Sequence, residues 1–458
     1  MLVRPATASF GAPAIATATA GATPGLRISS ERLRCLLLVL TGASGAIVFI
    51  EPSPYEVMSF LTLGMFVVGG LTLSPGLMPL AVLLVLINTG YCISGWTVIE
   101  LDGIASWLVT SWYLAFTALF FAAMLGVNTE ARLNALMRGC LIGGVIASLA
   151  AIIGYSRIIS SLNELLLLYD RSRGTFKDPN VLGAFLILPG LLALAPVISG
   201  NARQAFKGVA LLGVIVPAIL LSFSRAAWGQ FVYCSVIVLA LTFITTRSPS
   251  HRVRLVVMTF AGVVAMVGFI GALLSIDAVA ELFKQRASLE QSYDMGAQGR
   301  FARYVLGFIL ALDKPIGIGP LQFNKYFPED THDSFLNAFM SGGWLAGASY
   351  PALILLTLVF GFRAVFVRTP WQQTTIVVFA AYFGVTSESI IIDTDHWRHN
   401  FLLLGVMWGL IAATRSYTAR QQSVAEDDRL LFDGGGAALA RPGGASYTSS
   451  RRSVAQPG

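Results

Sequence analysis

Hydrophobic positions in this chain come in long blocks rather than in the alternating or helical stripes of a soluble domain. Apolar runs occupy Leu33–Ile50, Val57–Leu73, Leu77–Ile93, Ile104–Leu125, Gly139–Tyr155, Val181–Ile198, Gly208–Ser222, Ala226–Ile244, Leu255–Ser275, Phe335–Phe360, Thr374–Ile392 and Asn400–Thr414. Each is near the roughly 20 residues that a bilayer core requires, so the pattern predicts twelve transmembrane helices. Gly208–Ser222 is short and carries Pro217, which predicts a broken or kinked span. One long polar interval, residues 276–334, separates two apolar runs and has to fold over a membrane surface. Within it Phe301–Leu312 is amphipathic. The apolar stretch Leu162–Tyr169 lies in the shorter loop 156–180, and both stretches are expected to form short helices in the interface.

Composition narrows the class further. Hydrophobic residues make up 55% of the 458, charged residues 12%, and mean hydropathy is +0.72, whereas soluble domains carry about 25% charge. The expected fold is an all-α polytopic membrane protein of about twelve helices with a long external loop containing short helices. Residues 1–32 and 415–458 are polar and rich in small residues, and read as disordered cytoplasmic tails around a membrane domain at 33–414. Cys35, Cys92, Cys140 and Cys234 all fall inside apolar runs, without the spacing of a metal site or a disulfide framework. The net charge of +7 is scattered through short loops and tails. Membrane topology explains that placement better than a nucleic-acid surface does.

The positive-inside rule sets the orientation. Alternate short loops carry Arg132 and Arg138, Arg203 and Lys207, Arg247, Arg252 and Arg254, then Arg363 and Arg368, and these are expected in the cytoplasm with both termini. The intervening loops hold Glu51 and Glu56, Glu100 and Asp102, then Asp393 and Asp395, and are expected outside. Three external segments depart from the rule by concentrating cations: Arg171-Ser172-Arg173, the turn Ser222-Phe223-Ser224-Arg225, and Arg300 with Arg303 at the start of the amphipathic stretch.

For Arg171 and Arg173 an anchoring role at lipid phosphates stands beside a functional one. Arg225 sits between two spans with no room for a loop, where an uncompensated cation is costly and usually functional. His332 follows Pro- and Gly-rich turns and precedes a helix, so it is placed to project into a site. His251 lies in a basic loop, and His396 and His399 flank a short outer turn. Asp333 and Ser334 fit equally well as helix N-caps. Guanidinium groups bind phosphate oxygens bidentately, so several of them at one membrane face point to a phosphate or pyrophosphate headgroup. The one Asp-x-Asp in the sequence, Asp393-Thr394-Asp395, lies in a short outer turn, and there is no His/Glu metal spacing. No metal is expected, and cations of the protein would neutralise the leaving pyrophosphate.

Arg173-Gly174 through Pro179-Asn180, Ser224-Arg225-Ala226, Pro315-Ile316-Gly317-Ile318-Gly319 and His332-Asp333-Ser334-Phe335 occur in this order on the twelve-helix frame. Over roughly Asp170 to Gly347 the chain resembles the O-antigen ligase/polysaccharide polymerase superfamily. The resemblance implies a GT-C-like, metal-independent, inverting glycosyltransferase without cofactor, in a bacterial inner membrane. Its donor would be an undecaprenyl pyrophosphate-linked glycan, and its acceptor a lipid A core, another glycan or a protein side chain. It assigns Arg173 and Arg225 to the pyrophosphate and His332 to the acceptor or the leaving group. Arg171 and Arg300 join the pyrophosphate-binding set. Where family members commonly carry Asn after the histidine, this chain has Asp333. Gly317 and Gly319 are expected to permit a tight turn and bending of the loop over the site. The competing reading is a transporter or flippase for the same lipid-linked glycan, suggested by Pro189, Pro217 and Pro351 within spans. It calls for midplane charges, which these spans lack apart from Glu388 near one end.

Overall fold

A computed structural model of the protein describes residues 30–98, 102–275, 277, 280, 281, 283 and 299–438. The expected tail at 1–29, most of the interval 276–298 and the terminal residues 439–458 lie outside that set.

The chain is an all-α multi-pass membrane protein. Helices α1 (Ser30–Ser44), α2 (Pro54–Val68), α3 (Met78–Trp96), α4 (Ile104–Met124) and α5 (Thr129–Ser156) lead to a one-turn helix α6 (Asn163–Leu166). After it come α7 (Pro179–Ser199), α8 (Ala202–Leu221), α9 (Arg225–Thr245), α10 (Pro249–Leu274), α11 (Arg300–Asp313), α12 (Ser334–Val365), α13 (Gln372–Glu388) and α14 (Arg398–Ala438). Each of the twelve apolar runs has become a helix. Among the described residues nine helices are long and apolar enough to cross a membrane. Helices α1, α2 and α13 have 15, 15 and 17 residues, roughly 23–26 Å at 1.5 Å per residue, short of a core of about 30 Å.

Four local expectations are corrected. The run with Pro217 is part of a continuous 20-residue helix, because a capping box between Asn201 and Gln204 starts α8 upstream of the apolar stretch. Leu162–Tyr169 is not one interfacial helix. It is a 3-10 turn at Ser160–Leu162, the single turn α6, and a two-stranded hairpin of β1 (Leu167–Leu168) and β2 (Arg171–Ser172). Tyr169 and Asp170 at its tip both have positive φ, 49° and 58°, the backbone of a type I′ turn, and this reverses the chain. The helix at Pro351 continues through the proline, and the break in α12 lies instead at Gly343, with φ 63° and ψ −163°. The polar segment from Arg415 continues α14 as helix to Ala438 where a disordered tail is expected. Its Ala, Arg, Gln, Glu and Leu residues are strong helix formers.

Small residues let the central helices approach closely, as in membrane bundles generally. A Cβ on Gly90 of α3 would lie 2.7 Å from the Gly342 carbonyl of α12, and one on Gly405 of α14 would lie 2.3 Å from the Ala118 carbonyl of α4. Helix α10 is peripheral, with nearly all of its spanning surface facing away from the bundle.

Candidate functional site

The first half of the site is built on the N-terminus of α12. Asp333 is its N-cap, accepting hydrogen bonds from Phe335 N at 2.8 Å and Leu336 N at 3.2 Å, so the capping role is real. Immediately before it, His332 adopts a left-handed backbone with φ 49°, which costs about 1–2 kcal/mol for a residue with a Cβ. Asp393, 61 residues downstream in the turn between α13 and α14, holds that conformation. Its Oδ1 accepts from Thr331 Oγ1 at 2.8 Å and Asp333 N at 3.1 Å, and its Oδ2 from His332 N at 3.1 Å. The His332 carbonyl accepts from the Tyr304 hydroxyl of α11 at 2.7 Å. Ser334 N donates to Ser389 O at 2.8 Å, and Thr394 N donates to Ser334 Oγ at 2.7 Å. The backbone of His332 is therefore fixed on both sides. Its imidazole makes no hydrogen bond among the described residues.

The electrostatics of that imidazole follow from its neighbours. Partial burial pushes its pKa below the usual 6.5, Arg300 and Arg303 push it further down, and Asp330 and Glu329 oppose them. The ring is thus kept neutral at neutral pH, able to accept a hydrogen bond or a proton. Arg303 is 2% exposed and donates from Nη2 to Glu329 Oε2 at 2.7 Å. Asp393 is the counterpart: burial first, and repulsion from Asp395 second, raise its pKa against the lowering effect of its hydrogen bonds from Thr331 and His332.

The second half is an arginine cluster around the α8–α9 turn. Arg171 in β2 is buried, and donates from Nε to Ser222 O at 2.9 Å and from Nη2 to Asn180 Oδ1 at 2.7 Å. Phe223 completes the turn with φ 48° and packs against Tyr155 and Trp228. Ser224 caps α9, whose first residue is the half-buried Arg225. Arg171 and Arg225 are thereby joined to one turn. The Arg173 guanidinium instead donates to Glu164 O at 2.7 Å, Leu165 O at 3.1 Å and Lys177 O at 3.5 Å, closing its own loop over α6. Arg171 is thus the arginine hydrogen-bonded to the turn from which Arg225 starts α9.

The two halves share one end of the bundle. Tyr233 Oη donates to Gly384 O at 3.2 Å and Cys234 Sγ approaches Ala380 O at 3.2 Å, so α9 and α13 run antiparallel. The C-terminus of α13 is then level with the first turn of α9, which carries Arg225, and Ser389, just beyond it, holds Ser334 beside His332.

Two further features border the His332 half. An open apolar groove of about 440 Å³ runs between α11 and α12, lined by Tyr304, Phe308, Phe335, Leu336 and Phe339, with Asp333 at its edge. The Pro315–Gly319 turn is stitched into the break of α12: Ile318 N and Gly319 N donate to Met340 O at 2.8 and 3.3 Å, and Trp344 N to Pro315 O at 2.9 Å. A Cβ on Gly317 would lie 2.7 Å from Gly343 N, Met340 O and Ser94 Oγ. The glycines therefore serve close packing, and the bending expected of them is replaced by a locked turn.

Residues 208–350 match the family model described as O-Antigen ligase. The chain carries an O-antigen ligase domain. No curated protein matches the chain. The O-antigen ligase match runs from within α8 into α12, so it contains Arg225, Arg300, Arg303 and His332. Arg171 and Asp393, which position its two halves, lie outside it. Asp393, Tyr304 and Arg303 escape a reading of the sequence as site residues. Arg303 has a signal, since it follows Arg300 by one helical turn, whereas Asp393 looks only like external-loop charge.

Proposed function

We propose that the protein is a membrane glycosyltransferase that moves a glycan from undecaprenyl pyrophosphate to an acceptor hydroxyl at the periplasmic face of a bacterial inner membrane, with both termini cytoplasmic. The O-antigen ligase domain supports a lipid-linked glycan donor and a glycan acceptor. The observation that carries the finer reading is His332, held in a strained backbone by Asp393 at the end of the bundle that also carries the α8–α9 turn, to which Arg171 is bonded and from which Arg225 starts α9.

In this reading His332 accepts the proton of the acceptor hydroxyl as its oxygen forms a bond to the anomeric carbon. The bond from that carbon to the pyrophosphate oxygen breaks on the opposite face, and the electron pair leaves with the pyrophosphate. Inversion follows from that geometry. The guanidinium groups of Arg225 and Arg171, with Arg300 beside His332, neutralise the charge that develops on the leaving group. The groove between α11 and α12 suits a polyprenyl chain entering sideways from lipid. The product is a longer lipid-linked glycan for a polymerase, or a glycan on lipid A core for a ligase.

Purified protein, a polyprenyl pyrophosphate-linked glycan and candidate acceptors provide the test. The proposal expects a new glycosidic bond of inverted anomeric configuration by NMR, with stoichiometric release of polyprenyl pyrophosphate. Movement of intact donor across a vesicle membrane without bond formation would refute it.

A further inference from the structure

His396, in the turn between α13 and α14, belongs to neither half of the site, yet its surroundings are specific. Its Nδ1 meets Asp395 Oδ2 at 3.2 Å, and its Nε2 faces the Trp107 carbonyl of α4 at 3.4 Å. The ring lies over the Trp107 indole, with centroids 4.2 Å apart. Three contacts thus converge on one imidazole.

The acceptors around the ring place its protons. Ser341 Oγ donates to Asn337 Oδ1 at 2.8 Å, which fixes the amide so that Asn337 Nδ2 donates to Asp395 Oδ2 at 2.9 Å. That oxygen is an acceptor, and His396 Nδ1 has to bring a hydrogen to it. The Trp107 carbonyl also only accepts, so Nε2 has to bring another. An imidazole with a hydrogen on each nitrogen is a cation. The remaining contacts agree with a positive ring. Asp395 is 6% exposed, and a buried carboxylate is costly without a paired charge. A cation over the face of an indole is attracted by it. Arg398, the next cation along the chain, is committed to Glu56 of α2, and Tyr91 of α3 packs edge-on against the same indole.

The turn that holds this pair is also the one that fixes His332. Asp393 accepts from Thr331, His332 and Asp333, Asp395 accepts from Asn337 in the first turn of α12, and His396 ties the turn to α4. We propose that His396 is an imidazolium that donates to Asp395 and to the Trp107 carbonyl, and that it is a positioning residue for the transfer site. It seats the 393–397 turn on α4, and Asp393 in that turn then keeps the His332 backbone in its left-handed form. His396 touches no reacting atom in this account. Its effect on turnover rests on the reading of His332 as the acceptor-side base.

The chain has four histidines, so labelling the full protein with ¹³C,¹⁵N-histidine in lipid gives a spectrum simple enough to assign by substitution. At the pH of the transfer assay both ring nitrogens of His396 should carry a proton. In His396→Gln, which has one donor nitrogen and no charge, the His332 Cα resonance should move away from its left-handed value while His251, in the first turn of α10, stays fixed. The same variant should lose about tenfold in kcat, the scale of one charge-assisted hydrogen bond, with the KM for donor nearly unchanged. If it does not fold, Asp395→Asn serves: without the carboxylate the His396 ring should return to the neutral form, and the His332 resonance should move in the same direction. A lone pair on either ring nitrogen of wild-type His396 would overturn the proposal, and so would a His332 resonance that stays put in the variant, whatever kcat does. Wild-type protein that transfers nothing would refute the proposed function instead, and the spectra would still decide the role of His396.

Discussion

Asp393→Asn isolates what the carboxylate does for His332. Asparagine keeps one oxygen for the two donors at Oδ1, Thr331 Oγ1 and Asp333 N, but turns an NH₂ toward His332 N, which in the native protein donates to Oδ2 at 3.1 Å. One hydrogen bond to a charged group is lost, about 1.5–3 kcal/mol, and His332 is left free to relax from its strained φ. At 1.4 kcal/mol per factor of ten, transfer should fall by about 10- to 100-fold in kcat while the KM for donor changes little. Because burial and Asp395 disfavour the charged carboxylate, removing the charge offsets part of that loss in global stability. The sign of the pH dependence follows. A carboxyl whose folded pKa is raised above its usual 3.8 is protonated more readily in the native state, so its contribution weakens as pH rises from about 4 through the raised value. The variant should lose that slope. Kinetics on purified protein, with melting curves between pH 4 and 8, provide the assay. A variant within twofold of wild-type kcat would refute the positioning role.

Arg225→Lys should abolish transfer at matched expression and normal insertion, because a point charge does not replace the bidentate fork at a pyrophosphate; near wild-type polymer production would remove Arg225 from that role. Arg173→Lys should retain much more activity, since Arg173 closes its own loop through backbone carbonyls, and equal loss in both would return it to the donor site. Gly317→Ala should destabilise by about 2–4 kcal/mol, from its φ of 86° and the three atoms at 2.7 Å, read as a lowered melting temperature. Arg300→Gln should move the acid limb of the pH–kcat/KM profile upward, because removing a cation lets His332 hold its proton to higher pH; a downward shift or none contradicts the electrostatic reasoning.

The membrane frame was legible because apolar blocks of span length leave few alternatives, and Arg225 and His332 stood out by where those blocks end. Helix starts were less legible: Asn201 and Gln204 lengthen α8 through capping hydrogen bonds that a hydropathy pattern ignores. The different partners of Arg171 and Arg173 were not legible, because two arginines two positions apart differ only after the Tyr169-Asp170 turn is formed and Arg173, beyond the strand, reaches the Glu164 and Leu165 carbonyls. Asp393 was hidden for a related reason. Its function depends on a contact across sixty residues, and its local surroundings show only an external acidic turn. The glycines of the Pro315–Gly319 segment were correctly seen as backbone devices, but the α12 break they pack into is visible only in three dimensions.

In the proposed site the labour is divided, with the arginines holding pyrophosphate and His332 taking the acceptor proton. Paired donor-binding and single-turnover measurements on His332→Ala and Arg225→Ala in nanodiscs separate the two roles. His332→Ala should bind the polyprenyl pyrophosphate-linked glycan with near wild-type affinity yet transfer nothing, while Arg225→Ala should lose donor binding. Undiminished transfer by His332→Ala would contradict that division.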